Sequence, residues 1–401
     1  MTTRPRLSPF LWLCLMGGLA IFSSTMSKNP ALPLFIRSLG VEERTLGFIA
    51  AASTVTGIVV SLPAGLISDR WGRWRVVRLS LLIFASAPFL YLLVRAPWHL
   101  VWVRIYHGLA TAILGPVALA AVADTFQEGR GERMGWYASA TLVGRLLAPT
   151  VGGLLIFGDE FRWVYLGCGV AGLLALLAGA RLPHAHREKR RTAKPLRSWR
   201  LLRSKGVWLT GGMEAAQYFA YGAVETFLPL YLRGLGWEPR AIGPLFTLQV
   251  AVLALARPWM GRLSDRWGRR RPILLGLLAG AAATVGMGYA AHWLLTSLLV
   301  LLFGLGMAAV TASTTALISE LSPESGTGGS LGMLSSVMDV GHASGPMLIG
   351  LAVGAWGYGP AFGLVGGLLV AAAALFAAAW RRIDHRDTED PEEHGETFEA
   401  L

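Results

Sequence analysis

The sequence predicts an all-α integral membrane protein with twelve transmembrane helices in two pseudo-symmetric six-helix bundles. Of its 401 residues, 54% are hydrophobic and only 15% are charged, whereas a soluble domain carries about 25% charged residues. Apolar runs of about 20 residues, enough to cross a bilayer as a helix, recur along the chain. The second half also repeats the first at a distance of 196 residues.

The apolar runs divide the chain into twelve predicted spans. Six precede a basic segment and six follow it. The predicted spans are 9–37, 45–68, 76–95, 98–124, 133–157, 162–182, 207–233, 241–264, 272–292, 294–319, 330–353 and 359–382.

The distribution of lysine and arginine predicts the orientation. With both termini in the cytoplasm, the cytoplasmic segments hold 26 of these residues and the outer loops hold six. Positive charge is retained on the cytoplasmic side. We therefore expect a multi-pass protein of a bacterial-type inner membrane. The net charge of +12 needs no nucleic-acid partner.

Composition also predicts the domain limits. Residues 1–182 form the first bundle and 207–382 the second. The basic stretch 183–206 reads as a cytoplasmic linker lying along anionic lipid headgroups. The acidic tail, 383–401, is predicted to be disordered.

The repeat is clearest in a charged motif and in a segment that precedes it in each half. Residues Gly65–Arg75 read GLISDRWGRWR, and Gly261–Arg271 read GRLSDRWGRRR. The stretch 31–47 aligns with 227–243 at the same distance, and further glycines and prolines align at 196 or 197 residues. Because each half holds six spans, both copies have the same orientation. Such parallel repeats are typical of transporters whose substrate site lies near the midplane.

These motifs resemble those of the major facilitator superfamily, and in particular its twelve-helix drug/proton antiporter-like members. The pattern G-x-L-S-D-R-x-G-R-R after the second span is the best-known marker of that family. The first copy matches it at Gly65, Ser68, Asp69, Arg70, Gly72 and Arg73, and the second copy, Gly261–Arg270, matches it in full. Arg104 and Gly108 resemble its fourth-helix motif. The fifth span resembles its antiporter motif, with Ala148 where the family usually has glycine.

The resemblance implies that the two charged motifs act as a conformational latch at the cytoplasmic ends. We expect Asp69 to meet the start of the eleventh span near Gly332, and Asp265 the start of the fifth near Gly135, because helix N-termini favour anions. Glycine permits a tight turn and close backbone approach. The alternative is that the charges only enforce topology. The latch candidates are Gly65, Asp69, Arg70, Gly72, Arg73 with Asp124, and Gly261, Asp265, Arg266, Gly268, Arg269 with Glu320.

Glycine and proline in the fifth and eleventh spans predict sites of bending during a rocking motion. Close helix packing without bending is the alternative. The four positions are Gly144, Pro149, Gly341 and Pro346.

Ionisable residues inside the spans mark the predicted substrate site, because charges at membrane depth face a cavity or a partner. The first half supplies cations and the second supplies acids. The alternative is that they form ion pairs that only hold one conformation. The candidates are Lys28, Arg104, Arg145, Glu214, Tyr218, Tyr221, Glu225, Asp339 and His342.

Together these features predict a monomeric secondary transporter that works by alternating access. We expect proton-coupled efflux of a small organic molecule, with uptake of an organic anion or a lipid-type substrate as alternatives and a non-transporting receptor as a remote one. Since the first span carries Lys28 and Asn29 but no acid, an anionic or zwitterionic substrate is the hypothesis. Neither an ATP-binding loop nor the spacing of a metal site or catalytic nucleophile is present, so no cofactor, metal or enzyme activity is predicted.

Overall fold

A computed structural model describes residues 8–125, 129–182, 205–321 and 326–389, and the side chains of residues 62, 326–333 and 381–389 are outside that description. The described chain forms thirteen α-helices. They are α1 (Pro9–Lys28), α2 (Ala31–Ser38), α3 (Glu43–Trp71), α4 (Arg73–Tyr91), α5 (Pro97–Thr125), α6 (Arg130–Leu154), α7 (Arg162–Ala180), α8 (Lys205–Gly234), α9 (Pro239–Trp267), α10 (Arg270–Met287), α11 (Trp293–Glu320), α12 (Gly326–Trp356) and α13 (Tyr358–Glu389).

The thirteen helices form the twelve predicted spanning units, because α1 and α2 together make the first span, Pro9–Ser38. By length and composition, eight of the described units are apolar enough to cross a membrane. Those outside this group are α6, α8, α10 and α12. Three of them carry polar groups of the predicted site, and α10 begins with two arginines. The chain is an integral, multi-pass membrane protein.

The predicted end of the second bundle differs from the last helix. The last helix extends to Glu389, so residues 383–389 continue α13 where a disordered tail was expected. A helix can run past the apolar segment into water, and hydropathy locates only the apolar part. Residues 183–204 of the predicted linker and 390–401 of the tail lie outside the described residues.

Within each half, glycine allows two helices to pack backbone to backbone. A Cβ at Gly144 of α6 would overlap the carbonyl oxygen of Gly18 in α1, and one at Gly341 of α12 would overlap that of Ala215 in α8. The two glycines therefore hold equivalent helix pairs together, which is the packing role weighed for them above.

The two halves meet through α3 against α12 and α6 against α9. A Cβ at Gly47 in α3 would overlap the carbonyl oxygen of Pro346, and one at Gly243 in α9 would overlap that of Pro149. Gly47 and Gly243 are equivalent in the repeat. These contacts lie toward the loops 39–42 and 235–238, which we call the distal side, opposite the chain termini.

The other end of the bundle, which we call the terminal side, carries both charged motifs. There, within the described chain, no atom comes within 4 Å of a Cβ built at Gly65, Gly135 or Gly261. The close approach expected at Gly65 and Gly261 is thus not present in this conformation. The inter-half hydrogen bonds formed by described residues lie between the membrane centre and the distal side. The protein is therefore closed distally and separated at the terminal side.

Candidate functional site

A small cavity of about 30 Å³ lies at the centre of the bundle, between the two halves. The break between α1 and α2 contributes to its wall, and Pro346 of the distal seal closes it on one side. Its lining residues are Lys28, Leu32, Pro33, Ala50, Ala51, Thr54, Arg104, Glu225, Thr226, His342 and Pro346.

Glu225 is the carboxylate at the centre of this cavity. Its Oε2 lies 2.9 Å from Nε2 of His342 on α12, and its Oε1 accepts a hydrogen bond of 3.3 Å from the amide of Asn29. The His342 ring also packs against Tyr221, with ring centroids 5.3 Å apart. Glu225 therefore joins α8 to α12 and the second half to the first.

Arg104 and Lys28 face this carboxylate from the first half. Arg104 is 2% exposed. Its Nη2 donates to the carbonyl oxygen of Ala50 at 2.9 Å and to the hydroxyl of Ser53. Its Nε and Nη1 are buried and form no hydrogen bond of good geometry with a described residue, although the Tyr91 hydroxyl lies close to the guanidinium. Lys28 lines the cavity and forms no ion pair or hydrogen bond with any described residue. The cavity thus contains two cations whose hydrogen-bond donors are largely unused.

The other predicted residues surround this centre. Tyr218 and Tyr221 pack edge to face at 6.1 Å, and both are electrostatic neighbours of Arg145 on α6. Arg145 is exposed and has no ion pair in the described chain. Asp339 is half-buried on α12 and is an electrostatic neighbour of Lys28.

Glu214 lies away from the cavity, three helical turns along α8 toward the terminal side. It is 3% exposed and contacts the hydroxyl of Thr314 on α11. No described cation lies within ion-pair distance. Glu214 is therefore a buried acid with a polar but uncharged partner.

The repeat relates several of these positions. Asn29 and Glu225 are equivalent at 196 residues, so their hydrogen bond crosses the pseudo-symmetry axis. Arg145 and His342 are equivalent at 197 residues. The second half therefore contains a Glu225–His342 pair. At the equivalent positions the first half has Asn29, which is an amide, and Arg145, which forms no ion pair with a described residue.

The two charged motifs form similar ion pairs at the terminal side. Nε of Arg73 lies 2.7 Å from Asp124, and Asp69 lies 3.4 Å from the same arginine.

The second copy forms the same arrangement. Nη2 of Arg269 lies 2.6 Å from Glu320, and its Nη1 contacts Asp265. Gly72 and Gly268 adopt φ of 93° and 77°, which favour glycine, at the expected turns. Arg70 and Arg266 are exposed.

The contact expected between Asp265 and the start of α6 is not seen in this conformation. Asp265 contacts Arg269, while Gly135 near the start of α6 has open space beside it. The reason is that the halves are apart at this end. Gly332 lies among the residues whose side chains are outside the description, so its contact with Asp69 stays a prediction.

The structure adds polar residues that the sequence reading missed. Asn29, Ser53 and Thr314 hold Glu225, Arg104 and Glu214, respectively. Uncharged polar residues are frequent in membrane helices, so their type gave no signal. The repeat could have found Asn29, because it aligns with Glu225.

Comparisons with known proteins agree with this architecture. The Multi-drug resistance efflux pump PmrA homolog of Lactococcus lactis is 26% identical over 375 residues, covering 86% of this chain and 87% of that protein. The Tetracycline resistance protein, class G, of Vibrio anguillarum is 28% identical over 363 residues, covering 82% and 87%. The solved structure of a bacterial homolog of the human lysosomal transporter Spinster, in an inward-facing and occupied conformation, has a TM-score of 0.80 at 16% identity, covering 93% and 96%.

The sequence model described as Major Facilitator Superfamily matches residues 13–246 and 213–400, which together span nearly the whole chain. The protein is thus a secondary transporter for a small-molecule substrate rather than an enzyme, and the chain belongs to the major facilitator superfamily.

Proposed function

We propose that this protein is a proton-coupled exporter of small organic molecules. The observation that carries the proposal is a polar cavity at mid-membrane, closed on the distal side and lined by ionisable groups from both halves. The similarity to proteins named as an efflux pump and a tetracycline resistance protein supports export over uptake. Both termini are cytoplasmic in this proposal, so substrate reaches the cavity from the cytoplasm of a cell bounded by this inner membrane.

Glu214 is one proposed proton carrier. The Thr314 hydroxyl has a single hydrogen and lies 2.9 Å from the carbonyl oxygen of Val310, which can only accept. If the hydrogen is donated to Val310, the hydrogen bond between Thr314 and Glu214 must come from a protonated Glu214. Burial without an ion pair to any described residue also favours the neutral acid, because an unpaired buried charge is costly.

Glu225 is the second proposed proton carrier, and it couples protons to substrate. A proton on Glu225 would weaken its attraction to His342 and to the cations across the cavity. Because these contacts join the two halves, protonation would change the balance between conformations. Asp339, Tyr218 and Tyr221 complete the proposed wall of the substrate path.

The charged motifs are proposed to control the opposite conformation. When the terminal side closes, Asp69 and Asp265 would reach the starts of α12 and α6, where free backbone N–H groups favour an anion. Arg73 with Asp124 and Arg269 with Glu320 orient these loops. Bending at Pro149 and Pro346 would accompany the motion, which the monomer completes alone.

Reconstituted liposomes test the coupling with three probes: ethidium, tetracycline and naphthalenesulfonate. With an imposed pH gradient, an exporter of this kind moves a probe opposite to the proton flow, whichever way the protein is inserted. Movement in the same direction as protons would identify an importer, and flux that ignores the gradient for every transported probe would refute proton coupling.

A variant tests the role of Glu214. Glu214→Gln should lose gradient-driven transport at least tenfold and retain exchange of probe for probe, which requires no net proton movement. Glu238→Gln at the distal surface is the matched control and should behave as the unmodified protein. Equal gradient-driven transport by both variants would remove Glu214 from the mechanism.

A further inference from the structure

The charges that line the central cavity are unbalanced. Lys28 and Arg104 contribute two positive charges. Glu225 is the single carboxylate in the described lining, and it is already bonded to His342 and Asn29. The net charge of the lining is therefore positive even when His342 is neutral.

The donors of Arg104 are the second observation. A guanidinium has five N–H groups, and in a buried site these are normally satisfied. Nη2 is used by Ala50 and Ser53, but Nε and Nη1 are buried and form no hydrogen bond of good geometry with a described residue. A guanidinium edge with unused donors fits the oxygens of a carboxylate, sulfonate or phosphate.

The repeat explains why no described acid binds the unused donors of Arg104. The position equivalent to Glu225 in the first half is Asn29, which carries no charge. The position equivalent to His342 is Arg145, which has no counter-ion in the described chain. The second half thus supplies its own acid beside its base, and the first half has bases without an acid.

We propose that Lys28 and Arg104 form a subsite for an anionic group of the substrate. This deepens the proposed export function, since it rests on the central cavity being the transport site. The anionic group lies between the Lys28 ammonium and the Nε–Nη1 edge of Arg104. The remainder of the molecule extends toward Tyr218, Tyr221 and Arg145, where the protein is open. An organic anion, or a zwitterion whose cationic part approaches Asp339, fits this arrangement.

Equilibrium binding to the purified full chain in detergent tests the subsite without any gradient. The anionic probes are naphthalenesulfonate, benzoate and phenyl phosphate, and ethidium is the cationic probe. We expect at least one anion to bind and Lys28→Gln to weaken that binding at least tenfold. Lys28 has no described bonding partner, so this change should leave the fold and any ethidium binding intact.

A second variant uses the repeat. Asn29→Asp places an acid at the position equivalent to Glu225 and should also weaken anion binding at least tenfold, by supplying the missing counter-ion. Arg95→Gln, which removes an exposed cation from the distal loop between α4 and α5, is the control and should bind as the unmodified protein. Size-exclusion chromatography establishes that each variant is folded, and if Asn29→Asp is not, Lys28→Gln decides alone.

Two results would overturn the subsite. One is that the unmodified protein binds none of the three anions. The other is that a folded Lys28→Gln protein binds them as tightly as the control does. Either result is distinct from failure of the export proposal, because gradient-driven transport of ethidium or tetracycline can persist without anion binding, and anions can bind to a protein that does not couple to protons.

Discussion

The two halves of this transporter share their architecture and differ in their charge. Equivalent glycines, Gly47 and Gly243, seal equivalent helix pairs on the distal side. At the centre, by contrast, the first half presents Lys28 and Arg104 where the second has valines at the equivalent positions 224 and 300. The two halves therefore share their helix packing but not the charges that they contribute to the cavity. The proposed chemistry lies where the halves differ.

The largest effects are expected where the halves are alike. Gly47→Val and Gly243→Val each place a side chain against a backbone carbonyl, of Pro346 and Pro149. Overpacking costs about 1–3 kcal/mol, and here it falls on the distal seal. Since about 1.4 kcal/mol is tenfold in an equilibrium, each variant should lose transport about tenfold or more, measured as probe flux in liposomes, and to a similar extent.

The control lies on the same helix as Gly47. Gly57→Val in α3 introduces the same side chain where nothing described lies within 4 Å. This variant should retain most of the flux. If Gly47→Val impairs transport and Gly243→Val does not, the two distal seals are not functionally equivalent, although their helix packing is alike.

The framework could be predicted from the sequence because its signals are repetitive. Long apolar runs have few solutions in a bilayer, and two copies of GxxSDRxGR indicated two halves of the same orientation. The ion pairs of Arg73 with Asp124 and Arg269 with Glu320 followed from equivalent charges in equivalent loops, and both are present. The predicted end of the last span, residue 382, was too early, because α13 continues beyond its apolar part to Glu389.

The centre of the site could be predicted only as a set of residue types. That Glu225 pairs with His342, and that Lys28 pairs with no described residue, depends on how the two bundles meet. Helical spacing relates residues on one helix, but it does not give the rotation of one bundle against the other. For the same reason, Glu214 appeared as a cavity residue when it is buried against Thr314.

An intermediate effect should distinguish the equivalent residues His342 and Arg145. His342→Leu removes the hydrogen-bond partner of Glu225 and the ring contact with Tyr221, and a lost buried hydrogen bond of this kind costs about 1–3 kcal/mol. Arg145→Gln removes a side chain with no ion pair to a described residue, and such changes are usually within about 0.5 kcal/mol. We therefore expect His342→Leu to lower the melting midpoint in detergent clearly and Arg145→Gln to leave it nearly unchanged. Equal losses would show that Arg145 has a structural partner in this state.

The smallest effect should separate the two motif copies. Both arginines bind an acid on a neighbouring helix, but Arg269 reaches Glu320 through both Nε at 2.9 Å and Nη2 at 2.6 Å. In the Arg73–Asp124 pair, Nε of the arginine approaches the carboxylate to 2.7 Å. Exposed pairs contribute about 0.2–1 kcal/mol, so we expect both couplings in this range and the Arg269 pair nearer its top.

A double-mutant cycle on each pair, with arginine to glutamine and acid to amide, measures the two coupling free energies from melting in detergent. The hydrogen bond with Glu320 raises the pKa of Arg269 above its already high ordinary value. The guanidinium therefore stays charged in these measurements. The coupling should weaken with added salt, because these side chains are partly exposed. A coupling in the first copy that equals or exceeds that of the second would mean that contact number does not govern these pairs, and that the motif copies differ through their loops instead.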